Sequence, residues 1–281
     1  MELHQQQAAL RIPDGEPERE ALARTTHLGI GAHHDDLEIM ALHGIMACHG
    51  RQDRWFGGIT CTNGAGSARA GEFAAFSDEQ MIEVRRREQD AAARIGQYGF
   101  MAQLAYPSAS IQHARNPEFV TDLRHLLSAS KPEVIYTHNP ADKHDTHIAV
   151  VAAVVEAVRG LPPAERPGRL LGCEVWRDLD WMPDQAKVIL DVSGHGGLAR
   201  QLTDVFQSQI AGGKRYDLAA EGRRRANATF LRSHDADTMS EVCVAMELTP
   251  LIQNDGMKLT AYALHLVDRF REDVEERLRG A

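Results

Sequence analysis

Two short stretches of the 281-residue chain gather more ionisable side chains than a folded core has use for. The first reads Ala32-His33-His34-Asp35-Asp36-Leu37-Glu38, and the second His138-Asn139-Pro140-Ala141-Asp142-Lys143-His144-Asp145-Thr146-His147. Imidazole nitrogens and carboxylate oxygens together suit zinc. A catalytic zinc site takes three protein ligands and keeps its fourth position for water or substrate. The competing reading is a polar loop network without metal, with Asp35 serving as a helix N-cap beside Asp36.

Each cluster follows a short strand pattern. His27-Leu28-Gly29-Ile30-Gly31 reads as a buried strand, and Glu133 to Thr137 as another. Residues 36–50 carry Leu37, Met40, Ala41, Gly44, Ala47 and Cys48 at helical spacing. Trp55 to Thr62 reads as a strand that feeds the Gly-rich loop 63–67. Ser77 with Gln80 forms a capping box that opens a helix to about Gln97. Met101 to Tyr106 is strand-like, Asn116-Pro117 starts a helix to about Ser130, and Asp145 to Arg159 is a helix stopped at Gly160. The later third, about 168–281, offers strands at 170–176, 187–192 and 241–248, with helices near 195–211 and 258–279. Residues 1–25 lack a sustained apolar pattern and read as a polar extension outside the core.

Strands alternating with helices predict an α/β fold, a mostly parallel sheet with helices on both faces. In such sheets ligands collect beyond the carboxyl ends of the strands, near a switch in strand order. Both ionisable clusters fall at such ends.

The composition, 43% hydrophobic and 25% charged, is that of a soluble globular protein. A net charge of −9 argues against a nucleic-acid partner, which needs clustered Lys and Arg. Arg85-Arg86-Arg87 is the basic run near a candidate site and is suited to an anionic group. Arg223-Arg224-Arg225 reads as a solvated helix face. Cys48, Cys61, Cys173 and Cys243 are widely spread, and no apolar run approaches membrane-spanning length, so a cytoplasmic setting with free thiols is expected.

The two clusters carry a family resemblance. His33-x-Asp35-Asp36 resembles the A-H-P-D-D-E motif of the LmbE-like (PIG-L) superfamily of zinc-dependent N-acetylglucosaminyl deacetylases, and His144-x-x-His147 resembles its H-P-D-H motif. Thr62-Asn63-Gly64-Ala65-Gly66 is similar to the family's T-x-G loop, Arg85-x-x-Glu88 to its R-x-x-E helix, and Ser208-Gln209 to its late S-Q pair. The resemblance covers about residues 26 to 250. It implies a three-layer α/β/α Rossmann-like sandwich, formed here by a single domain over 26–281. It also implies zinc on His33, Asp36 and His147, Asp35 as general base, and His144 as the group that stabilises or protonates the transition state. The chain departs from the family at His34 (usually Pro), Leu37 (usually Glu), and Asp145 and Thr146 (usually Pro and Asp). Glu38 is then a candidate to replace the missing Glu, and Asp142 or Asp145 to orient His144. His34 is open to a role as an extra ligand or a substrate contact.

The activity implied is hydrolysis of an N-acetyl or longer N-acyl amide on a small amino-sugar conjugate. Its rivals are an amidohydrolase or esterase acting on a non-sugar, and an inactive metal-binding homologue. The loop Gly64-x-Gly66 lacks the G-x-G-x-x-G pattern of dinucleotide sites. Substrate contacts are expected from Arg85, from His138, and from Trp176 and Trp181, whose segment mixes aromatics and charges as sugar-binding rims do. His113, His195 and His234 fall in loops or element ends and read as bystanders. An oligomer is compatible with the sequence.

Overall fold

The structure, a computed structural model, describes residues 1–112 and 116–280; His113 lies outside them. Eight strands form one sheet: β1 Ala9–Arg11, β2 Thr25–Gly31, β3 Trp55–Thr62, β4 Phe100–Tyr106, β5 Val134–His138, β6 Arg169–Cys173, β7 Lys187–Asp191 and β8 Val242–Glu247. Their spatial order is β1-β4-β3-β2-β5-β6-β8-β7. The five strands β4 to β6 run parallel, and β1 and β8 join them antiparallel. Helices cover both faces, as a parallel sheet requires, since its strands are buried on each side. β3 and β4 accordingly read as nearly continuous buried runs.

One face packs Leu28, Ile30, Ile59 and Leu104 against the helices Pro117–Ser130 and Asp145–Arg159. The other packs Phe56, Met101 and Tyr136 against the helices Asp36–Met40, Leu42–Cys48 and Gly196–Asp204. This is the three-layer α/β/α sandwich expected. Ser77 and Gln80 form the anticipated capping box at the helix Asp78–Ile95, and Asn116 caps the next long helix through the Phe119 N–H.

Several elements differ from the sequence expectation. Residues 1–25 join the sheet: β1 pairs with β4, and the helix Glu18–Ala23 buries Ala21 and Leu22. The His4 backbone and ring bond to the buried Asp122. A three-residue strand is too short to show a period. The helix expected over 36–50 breaks at Ala41, and that expected over 195–211 divides into Gly196–Asp204 and Gln207–Ile210. A further helix, Tyr216–Thr229, follows these. The Arg223–Arg225 run lies on it but is no solvated face, because Arg224 is buried and ion-paired to Glu241 at 2.9 Å. All four cysteines are buried and unpaired. Among the described residues no helix is long and apolar enough to cross a membrane.

Candidate metal centre and cavity

The chain leaves β2 for β3 and β4 on one side, then returns to lay β5 against the other side of β2. The switch in strand order therefore falls between β2 and β5, where a crevice must open. The first cluster follows β2 and the second follows β5, so this topology sets them side by side. Gly31 permits the tight exit from β2, since a Cβ there would stand 2.9 Å from the Asp36 Cβ.

Three donor atoms converge. His33 Nδ1 lies 3.2 Å from His147 Nε2, and the two nitrogens lie 3.4 and 3.5 Å from Asp36 Oδ2. His147 Nδ1–H donates to Asp142 Oδ2 at 3.2 Å, which leaves a lone pair on Nε2 aimed at the other two donors. Two imidazole nitrogens and a carboxylate oxygen at such range repel or share a proton unless a cation takes their lone pairs. The donor set therefore fits zinc. Burial alone would raise the Asp36 pKa, but His147 and His138 outweigh it and hold the carboxyl well below the ordinary range. His138, Asp142 and His147 form a second trio of the same donor types, but it is fully buried. Of these two trios among the described residues, the first reaches a cavity, through His33 and Asp36.

Asp35 sits beside this trio in a left-handed backbone conformation, φ 85°, which costs a non-glycine residue about 1–3 kcal/mol and is tolerated where surroundings enforce it. Here they do. The Asp35 N–H donates to Gln89 Oε1 at 3.3 Å, and Arg85 Nη2 donates to Asp35 Oδ2 at 2.8 Å and to the His34 carbonyl at 2.5 Å. Arg85 is itself held by Glu88 at 2.9 Å, and Glu88 accepts the Ser208 N–H and hydroxyl at 2.7 and 2.8 Å. The R-x-x-E and S-Q features thus form one brace behind Asp35. Burial raises the Asp35 pKa above the ordinary carboxylate range, with Arg85 opposing it.

His144 caps the helix Asp145–Arg159, its Nδ1 accepting the Thr146 N–H at 3.3 Å. The neutral ring therefore carries its proton on Nε2. Burial, followed by the neighbouring His33 and His147, lowers its pKa. Neither carboxylate expected to orient this ring does so. Asp142 holds His147 and accepts the backbone N–H groups of Lys143 and His144, while Asp145 is exposed in the first helical turn.

The centre forms the floor of a cavity of about 660 Å³ lined also by Lys143, Trp176, Lys214, Tyr216 and Arg223. Trp176 stands 6.2 Å from the His144 ring and 6.0 Å, edge-on, from Tyr216. Of the expected substrate contacts, Arg85 and Trp176 line this cavity. His138 does not: it is wholly buried beneath the centre, stacked on His147 at 3.7 Å and accepting the Ala32 N–H at 2.9 Å. Trp181 does not either, because its loop folds back and sets the ring near Phe270. His34 is buried against Gln103 Oε1 at 3.2 Å and lies outside both the cavity lining and the donor trio. Glu38 faces away, accepting from Gln89 at 2.8 Å and Tyr98 at 2.7 Å, and Leu37 is core. Lys143, Lys214, Tyr216 and Gln112 also line the cavity but were not singled out from the sequence.

The family model for PIG-L, GlcNAc-PI de-N-acetylase, matches residues 28–158, the segment that carries both ionisable clusters. A search of curated proteins gives no match. Among solved structures, GalB, the 4-carboxy-2-hydroxymuconate hydratase of Pseudomonas putida, is similar at TM-score 0.62 and 16% identity, over 80% of this chain and 96% of its own. The conserved protein TT1542 of Thermus thermophilus is similar at TM-score 0.62 and 21% identity, over 83% and 99%. The N,N'-diacetylchitobiose deacetylase of Pyrococcus horikoshii follows at TM-score 0.61 and 16% identity, over 83% and 88%. At these identities the likeness carries the fold.

Proposed function

We propose that the chain is a zinc-dependent hydrolase that removes an N-acetyl or longer N-acyl group from an amino-sugar conjugate. The observation that carries this reading is the convergence of His33, Asp36 and His147 at the floor of an open cavity, with Asp35 and His144 beside them. His33, Asp36 and His147 would hold zinc, which when bound supplies positive charge that polarises an amide carbonyl and acidifies nearby water. The Asp35 carboxylate is the proton acceptor for water attacking the carbonyl carbon, and Arg85 fixes its orientation. His144 enters as a neutral ring with Nε2–H, placed to donate to the carbonyl oxygen as negative charge develops there. The proton held on Asp35 then goes to the departing amine nitrogen. Trp176 offers an apolar plane to a sugar face at the cavity wall. The deacetylase among the structural relatives and the matching family segment agree with amide hydrolysis. GalB is a hydratase on the same fold, so the fold alone does not choose the reaction. The test is acetate release from N-acetylglucosamine conjugates by zinc-loaded protein; loss of acetate from none of them overturns the reading.

A further inference from the structure

The cavity wall has an unusual charge. Lys143, Lys214 and Arg223 line it, and among the described residues none has a carboxylate within salt-bridge distance. The carboxylates in the same lining are Asp35, braced by Arg85, and Asp36, one of the converging donors. Glu174, the buried carboxylate near Arg223, is taken up by the Leu179 and Val244 N–H groups and by Asn227. A neighbouring groove of about 500 Å³ makes the contrast plain. Its Arg200, Arg215, Arg224 and Arg225 are each matched by Glu221, Asp217 or Glu241 at 2.6–3.3 Å. In a chain of net charge −9, three unmatched cations in one cavity are a local concentration against the overall sign.

The three are also held in relation to one another. The Asp142 carboxylate accepts the backbone N–H groups of both Lys143 and Trp176, at 2.6 and 3.2 Å. Lys214 Nζ lies 5.4 Å over the Trp176 ring, and the Arg223 guanidinium donates to the Val175 carbonyl. One short segment, 175–176, thus gathers cations from the loop after β5 and from the later third onto one wall.

We propose that the substrate carries an anionic group, a carboxylate or a phosphate, and that Lys143, Lys214 and Arg223 hold it while the reacting amide lies at the metal centre. The inference rests on the hydrolase reading for where the amide sits, but not for the charge preference. Calorimetry on the zinc-loaded protein tests it with three amine probes: glucosamine, glucosamine 6-phosphate and muramic acid. Partly exposed ion pairs are individually weak, and three of them together predict roughly tenfold tighter binding of an anionic probe. The larger gain of the two identifies phosphate or carboxylate. In Lys214→Gln/Arg223→Gln the preference should fall to about twofold with zinc content unchanged, which separates these cations from the metal's own pull on anions. It should also fade in wild type at high salt, a readout that needs no variant to fold. Equal affinity for the three probes, no binding of any, or a preference that survives both the double variant and salt overturns the proposal. Acetate release is scored separately: anion preference without hydrolysis of any acetylated probe sinks the function reading and leaves this one standing.

Discussion

The floor of the cavity and its wall are built to different standards. On the floor, His147 is fixed through Asp142, Asp35 through Arg85 and Gln89, and His144 through the Thr146 N–H. These partners are mostly buried, and the charged groups are braced in turn by Glu88 and Ser208. On the wall, Lys143 and Lys214 are exposed, Trp176 and Tyr216 meet edge-on, and the side-chain bonds are few. Tight positioning belongs where a displacement of about an ångström costs a large factor in rate. Looser packing belongs where the same chemistry must be fitted to one substrate or another. Floor variants should therefore act on metal content and turnover, and wall variants on affinity.

The largest effect is expected from the donor trio. Asp36→Ala and His147→Ala should reduce zinc from about one ion per chain to near none by elemental analysis, with activity lost alongside. Even a change to a residue that only supports a ligand costs about 10–100-fold in metal affinity or activity. Full metal retention in both variants would sink the assignment. Next in size come the two groups beside the trio. Asp35→Asn keeps shape and removes basicity, and with zinc content near normal its turnover should fall by about 10²–10⁴-fold, as should that of His144→Ala. The double variant should lose less than the product of the two losses, since they act as a unit. Asp35 must be ionised to accept a proton, so the wild-type kcat/KM should fall on the acid side as Asp35 takes up its proton, burial pushing that limb up and the metal's charge pushing it down. A kcat/KM that stays level down through the carboxylate range in wild type would contradict that role.

This division also marks what the sequence could and could not reveal. The floor residues come from two consecutive stretches at strand ends, so their types and spacing stand together in the chain. The wall is assembled by tertiary packing from residues 143, 176, 214, 216 and 223; of these Trp176 is expected from its mixed aromatic and charged segment, whereas Lys214 and Tyr216 lie in stretches that carry no such pattern. The run Arg223-Arg224-Arg225 reads as a solvated helix face because its pairing partners, such as Glu241 for Arg224, are distant in sequence. His138 was misplaced for a related reason. It ends β5 close to the centre, but the strand turns its ring under the trio, where it accepts the Ala32 N–H. Glu38 sits one position past the family's Glu, and on a helix that rotation sends it to Tyr98 and Gln89 instead of the cavity.

A pair of tryptophans sharpens the comparison at the wall. Trp176→Ala should raise KM several-fold with little change in kcat, if the ring holds ground and transition states alike. Trp181→Ala should leave both constants unchanged, because that ring lies near Phe270, away from the cavity. Steady-state kinetics on the same substrate checks both, and a KM effect at Trp181 would show that the wall extends further than the cavity lining.

The smallest effect is expected beneath the floor, at Glu38, and it appears in stability. Burial pushes the Glu38 carboxyl up to about 7, although Tyr98 and Gln89 donate to it. The ordinary value is 4.5, so the folded protein binds a proton at Glu38 more tightly than the unfolded chain does. A carboxyl shifted this way contributes stability that is fully present below pH 4.5 and is lost as the pH rises through about 7. Glu38→Gln removes the titration. The amide oxygen can still accept from Tyr98 and Gln89, while its NH2 takes the place of Glu38 Oε2, a buried atom with no hydrogen-bond partner. That unpaired donor carries a cost of its own, about 1–3 kcal/mol, but the cost does not change with pH. The prediction therefore concerns the difference between two pH values and not the absolute Tm. Between pH 5 and pH 8 the variant's Tm relative to wild type should rise by a few degrees, read by thermal melts in matched buffers. A gap that stays constant, or that narrows in the opposite direction, would mean that Glu38 is already ionised in the folded protein and that Gln89 is anchored to a charge when it holds the Asp35 backbone.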